Sequence, residues 1–335
     1  MYKFLSVFLL MGLWTALCSQ GINADIRTYT FSQGKASYLE VVYFIPTAHS
    51  ERIYDADSSF HQEANLTLVL RQGDKIIQAE KYHLIGPISK EDKPLLHCVR
   101  MAIKPGNYEI ESILSEGRTS THEISQINKC TIPPPTDGMG LSDIQLFANY
   151  AAAGNAQTPF CKNGIQFEPL PYQILGRTNH VLTSYVEVYH MDLYNAKNYI
   201  LRYQIWGKDS LSKDIKKDEW FKYKDVSDPG IILNRRDVSA LASGTYSLVI
   251  SVLRRDTSVV AQQKIEFERH NPFWDRLIEL QYENPSEETY FSRISNDSIH
   301  YYLRALNVIL PSSERDVLAS LDHGKVVNPR GKQLR

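Results

Sequence analysis

The chain has 335 residues, 43% apolar and 22% charged, with a formal net charge of −1. Length and composition suit two ordinary globular domains and exclude a disordered chain. The near-zero charge excludes a global basic field that would condense on nucleic acid or an anionic membrane.

The first element is an address. Lys3 gives a positive start, residues 4–17 form an apolar stretch, and polar Ser19-Gln20-Gly21 follows. This is the layout of a secretory signal over residues 1–21, too short and wrongly flanked for a transmembrane helix. Cys18 sits where a lipoprotein cysteine would sit, but Leu17 stands where such signals place Gly, Ala or Ser. A lipid on Cys18 would be the one membrane attachment; otherwise cleavage is expected near residues 18–21.

Residues 25–132 read as a first β module. Residues 35–46 alternate, with Tyr38, Val41, Tyr43 and Ile45 among them. Residues 65–70 place Leu66, Leu68 and Leu70 on one side, Arg71-Gln72-Gly73-Asp74 turns the chain, and residues 75–84 return as a hairpin partner. Residues 99–103 lead through Lys104-Pro105-Gly106-Asn107 into an alternating strand from Tyr108. Within this module Cys98–Cys130 is the expected disulfide, since an exported compartment permits one; with Cys161 the count is odd, which leaves at least one thiol.

Residues 133–160 read as a linker and exit segment. Pro133-Pro134-Pro135 is stiff, residues 141–146 are a strand belonging to either module, and residues 149–159 are a loop. A second module, 161–270, has strands at 183–191, 198–206, 244–253 and 259–267, with a charged loop or long hairpin at 207–228. The tail, 271–335, turns helical: Ile299, Tyr302, Leu303, Leu306, Ile309 and Leu310 form one apolar stripe from residue 297 onward. Short strands at this spacing predict a mainly β chain: two tandem immunoglobulin-like or fibronectin-like β-sandwich domains plus a short C-terminal helical segment.

The two modules share a signature. Ser37-Tyr38-Leu39-Glu40-Val41 precedes Pro105-Gly106-Asn107-Tyr108, and Ser184-Tyr185-Val186-Glu187-Val188 precedes Ser243-Gly244-Thr245-Tyr246. Repeated residues point to shared architecture rather than to one active site. Glu40 and Glu187 are expected at an outward strand position or in a turn hydrogen bond. Tyr108 and Tyr246 are expected as tyrosine corners, with the hydroxyl turned back on the main chain.

The sequence carries no G-x-S-x-G, H-E-x-x-H, P-loop or G-x-G-x-x-G opening a helix, and no C-x-x-C pair for zinc. No catalytic, metal or cofactor residue is therefore assigned. His180 and His190 flank the Tyr185–Glu187 strand; an unbroken strand would put both on one face, and they read as structural. Candidate interaction residues are Trp206, Trp220 and Tyr223 in and beside the charged segment, and Tyr302, Leu306 and Leu310 in the tail.

The order of signal, S-Y-[LV]-E-V strand, P-G-x-Y strand, Leu141-Ser142-Asp143-Ile144, Tyr185-Val186-Glu187-Val188-Tyr189, S-G-x-Y strand and Tyr302-Leu303-Arg304 resembles the N-terminal part of exported GWxTD-domain proteins of Bacteroidota. The Gly-Trp-x-Thr-Asp segment itself is absent. The resemblance implies an envelope protein with tandem β-sandwich modules and carries over no functional residue. The expectation is an exported, periplasmic or envelope-associated, non-enzymatic structural or protein-interaction module. Its partner would be another envelope protein or a missing C-terminal region, and not nucleic acid. The alternative is a carbohydrate-binding sandwich, in which Trp206, Trp220, Tyr223 and Trp274 would supply a flat exposed row.

Overall fold

The computed structural model describes residues 24–283, other than 34–35, 48–49, 56, 118–122, 135–137, 155–157, 191–196, 210–211 and 228. The chain is mainly β. Its strands are β1 (Asp25–Gln33), β2 (Ala36–Ile45), β3 (Glu51–Tyr54), β4 (Phe60–Gln72), β5 (Lys75–Ile85), β6 (Leu95–Ile103), β7 (Gly106–Glu116), β8 (Glu123–Ile132), β9 (Gly140–Leu141), β10 (Gln145–Ala152), β11 (Cys161–Lys162), β12 (Ile165–Pro169), β13 (Ile174–Leu175), β14 (Val181–Tyr189), β15 (Asn198–Lys208), β16 (Asp214–Asp225), β17 (Gly230–Asp237), β18 (Gly244–Leu253) and β19 (Val259–Arg269). One helix, α1 (Pro272–Glu283), follows them.

Two compact units result. Over the described residues the first comprises 24–28, 41–99 and 105–133, and the second comprises 29–40, 100–104 and 134–283. The boundary at Pro133 falls in the predicted Pro-rich linker. The division otherwise departs from sequence order, because β1, β2 and β6, which form one sheet in the order β1-β2-β6, each contribute residues to both units.

In the first unit, β3-β4-β7-β8 forms a sheet with β5 also paired to β4. Alternation places Leu66, Leu68 and Leu70 of β4 and Tyr108, Ile110 and Leu114 of β7 on one buried face. Val41, Tyr43 and Ile45 of β2 are fully buried too, and the Tyr43 hydroxyl lies 2.9 Å from Ser112 Oγ. That pair satisfies two polar groups which would otherwise be stranded in an apolar core. The β4–β5 hairpin turns at Gly73, whose φ of 57° suits glycine.

The second unit is a sandwich of β11-β12-β10-β14-β17, with β9 on β14, and β13-β19-β18-β15-β16. Its core is continuous between them: Leu182, Val186 and Val188 of β14 meet Tyr199, Leu201, Tyr203 and Ile205 of β15, Leu248, Ile250 and Val252 of β18, and Phe267 of β19. The predicted loop at 149–159 begins as strand, since β10 continues through Ala152 on β12. The segment 207–228 is a long hairpin, with β16 paired along β15. The strand at 141–146, open between modules in sequence, is β9 and the start of β10, both paired to β14 of the second unit.

Helix α1 starts by rule. Pro272 fixes the first turn, and the Asn271 side chain accepts from Trp274 N and donates to the Ser239 and Leu241 carbonyls at 2.7 and 2.8 Å. Asp275 in its first turn accepts from Ser243 N at 2.7 Å. The apolar stripe from residue 297, with Tyr302, Leu306 and Leu310, lies outside the described residues. Among the described residues no helix is long and apolar enough to cross a membrane.

Candidate functional site

The second unit contains a cavity of about 580 Å³ lined by Ser32, Tyr38, Arg100, Lys162, Asn163 and Glu187, among others. Its wall begins with β14. One face of this strand enters the sandwich core, so the other carries Tyr185, Glu187 and Tyr189 in a row. That second face is buried as well, because residues 29–32 and 36–40 cover it. Phe31 lies against Tyr185, ring centroids 6.2 Å apart, and Ser32 N donates to the Tyr189 hydroxyl at 3.0 Å. The cover is pinned by Asp143, which accepts from Thr30 N at 2.7 Å and whose own N–H donates to the Thr30 carbonyl at 3.1 Å.

Lys162 enters through a two-residue turn. Asn163 and Gly164 have φ of 51° and 75° and connect β11 to β12 in the manner of a tight hairpin. The turn sets Lys162 and Asn163 side by side over β14. The Asn163 amide donates to the Tyr185 hydroxyl at 2.6 Å and to Glu187 Oε1 at 3.3 Å. Lys162 Nζ lies 2.9 Å from Glu40 Oε1, 3.2 Å from the centroid of the Phe31 ring and 5.0 Å from that of Tyr185. A cation over aromatic faces away from water is held by the ring quadrupole as well as by its counter-ion.

Glu40 is 2% exposed and receives three donors: Arg100 Nε at 2.7 Å, Lys162, and Gln145 Nε2 at 2.7 Å. Glu187 is 4% exposed and receives the hydroxyls of Tyr185 and Tyr189, the latter at 2.7 Å, besides Asn163. Its backbone N–H donates to Ser142 Oγ. Neither carboxylate therefore occupies the outward position expected from sequence: pairing to internal donors allows both to be buried. Burial pushes the Lys162 ammonium below the usual lysine range, an effect that Glu40 and Glu187 partly offset. Burial, with the Glu187 charge second, pushes Tyr185 and Tyr189 well above the usual tyrosine range, so both remain hydrogen-bond donors.

The other singled-out residues lie elsewhere. Tyr246 bonds its hydroxyl to the Ala242 carbonyl at 3.0 Å, the back-turned contact of a tyrosine corner. Gly106 and Gly244 open β7 and β18 with φ of 154° and 152°, so the two Gly-x-Tyr copies share backbone form, and Tyr108 is buried like Tyr246. The expected Cys98–Cys130 disulfide is not formed. Cys98 shares a face of β6 with Arg100 and Ala102, opposite the buried Val99 and Met101, while Cys130 sits on β8 in a different sheet.

Register also separates the aromatic candidates. Trp220 pairs opposite Tyr203, stacks on its ring at 5.0 Å and lies against the sandwich core. Trp206 points to the other face of β15, shared with Tyr223, which is 73% exposed at the far end of β16. Trp274 is half-buried on α1. Trp206, Trp220 and Tyr223 thus form no common row. His180 and His190 lie just beyond the two ends of β14 rather than within it; His190 has a φ of 58° and lines the cavity.

Sequence reasoning passed over Lys162, Asn163, Gln145 and Arg100 as site residues. Asn163-Gly164 was the available signal, because Asn-Gly between two short strands is a strong hairpin mark. Among the described residues no group of three or more His, Cys, Asp and Glu is placed to hold a metal ion.

No protein-family model matches the chain, and no curated protein matches it. Among solved structures it is similar to red sea bream transglutaminase at 11% identity and a TM-score of 0.23. That alignment covers 74% of this chain and 31% of the transglutaminase chain. A likeness at this level carries no argument about activity.

Proposed function

We propose that this protein is an exported component of a bacterial cell envelope, acting as a non-enzymatic structural or protein-interaction module. The signal-like N-terminus and the resemblance to the N-terminal part of GWxTD-domain proteins support export. The state of the buried charges supports a structural role. Glu40 and Glu187 each receive several internal donors, and the tyrosines beside Glu187 are held protonated. Such a cluster ties β2, β6, β10, β11 and β14 together within the second unit.

The observation that carries the interaction reading is the edge strand β16. It is the last strand of its sheet and exposes Phe221 by 52% and Tyr223 by 73% on one face. An edge with free main-chain groups and apolar side chains can take up an extended segment of a partner protein by strand addition. Lysines along the same strand, among them Lys217, Lys222 and Lys224, discourage indiscriminate pairing.

The test is affinity capture from native envelopes, comparing the wild type with Phe221→Glu/Tyr223→Glu. The double variant is expected to remain folded and to lose the captured protein. Retention of the same protein at the same yield would overturn the assignment of β16 as the contact.

A further inference from the structure

The cluster around Lys162 places an amine, an amide and a carboxylate in mutual contact. Lys162 Nζ lies 3.4 Å from Gln145 Oε1. Glu40 bridges the pair, with Oε1 2.9 Å from Lys162 Nζ and Oε2 2.7 Å from Gln145 Nε2. All three are buried: Glu40 is 2% and Gln145 3% exposed, and the Lys162 side chain 7%. Phe31, Tyr38 and Tyr185 surround the amine.

We propose that Lys162 and Gln145 join in an intramolecular isopeptide bond, formed without a cofactor and with Glu40 as proton carrier. Glu40 takes a proton from the Lys162 ammonium. The freed lone pair forms an N–C bond to Gln145 Cδ, giving a tetrahedral carbon. As the carbonyl re-forms, the bond from Cδ to Nε2 breaks. Glu40 delivers its proton to the departing nitrogen and accepts the remaining extra proton of the new amide nitrogen. The products are a secondary amide and ammonia, which leaves with the net proton as ammonium and returns Glu40 to its carboxylate. No oxidation or co-reactant is involved.

Three features favour this step. The Lys162 amine is held 3.4 Å from the Gln145 amide oxygen, beside the carbon it would attack, which replaces a bimolecular encounter by a positioned one. Burial favours the neutral amine over the ammonium, and only the neutral amine is a nucleophile. The carboxylate touches both the nitrogen that must lose a proton and the nitrogen that must gain one, which is the geometry general acid–base catalysis needs. Gln145 is the acceptor because its amide can expel ammonia, while Glu40, in contact with Arg100 Nε at 2.7 Å and with both reacting side chains, is placed to carry the proton.

The experiment is denaturing mass spectrometry of the purified full chain, with peptide mapping to place any change. The expected result is a mass lower by one ammonia, and a branched peptide joining the segments that carry Gln145 and Lys162. Glu40→Gln, which retains both reacting groups, and Lys162→Arg should each restore the unbranched mass and the two separate peptides. Two separate peptides in the folded wild type would overturn the proposal, whatever the variants do. Loss of water in place of ammonia, with a branch at Glu40, would overturn the assignment of Gln145.

Discussion

Glu40 and Glu187 stand at the same place in a repeated five-residue sequence, and both are buried, yet they are held differently. Glu40 meets two cations and an amide; Glu187 meets two tyrosine hydroxyls and an amide. The repeat preserves strand position and burial. It does not preserve the donor set: Glu40 takes its donors from other strands, Arg100 from β6, Gln145 from β10 and Lys162 from β11, whereas Glu187 takes Tyr185 and Tyr189 from its own strand and only Asn163 from the β11–β12 turn. The difference matters energetically. Removing one charge from a buried ion cluster leaves its partners uncompensated, whereas neutral donors around a carboxylate can turn to an amide in its place.

The largest test of that contrast is to neutralise each carboxylate. Glu40→Gln should lower stability to urea by about 3 kcal/mol, the scale for breaking a buried ion pair. Glu187→Gln should cost about 1 kcal/mol, because the tyrosine hydroxyls keep an acceptor. Equal losses would mean that charge is not what separates the two sites.

A second test concerns the turn in the repeated Gly-x-Tyr strand. Tyr246→Phe removes the bond to Ala242 and should cost about 1 kcal/mol, read from the same urea transitions. Tyr108→Phe in the other copy asks whether the first unit uses its tyrosine hydroxyl to the same extent.

The smallest expected effect uses Asp143, a half-buried carboxylate that accepts from Thr30 N. Burial raises its pKa above the ordinary aspartate value, and the Thr30 N–H only partly offsets this. A raised folded pKa means the folded state binds more protons than the unfolded chain. Its contribution to stability is present at acid pH, below the unfolded value near 3.8, and is lost as pH rises through the folded pKa. Asp143→Asn keeps an acceptor for Thr30 N and removes that dependence. The variant should therefore gain on the wild type as pH rises from acid to neutral, measured as the difference in urea midpoints. A flat difference would show that Asp143 does not titrate on unfolding.

Much of the strand pattern was legible in the sequence. Alternation placed Leu66, Leu68 and Leu70 on one face and marked residues 244–253 as strand, because a half-buried sheet imposes a period of two on its own residues. Edge strands were harder to see. Nine of the residues in β8 alternate between exposed and half-buried with little apolar contrast, and β17 lies among charges. The site was hardest of all. Beyond Tyr185 and Tyr189, its donors are polar residues with no shared motif, contributed by segments that are far apart along the chain.

The sequence by itself determined the β class, the Gly-x-Tyr repeat and the Pro-rich break near residue 133, since each of these depends on local backbone preference or residue alternation. Only the tertiary structure decided that residues 29–32 and 36–40 cover the outer face of β14, that the two repeated glutamates are buried, and that Lys162 meets Gln145 and Glu40. Those outcomes depend on which distant strands become neighbours, and buried charges must find their partners wherever the fold brings them.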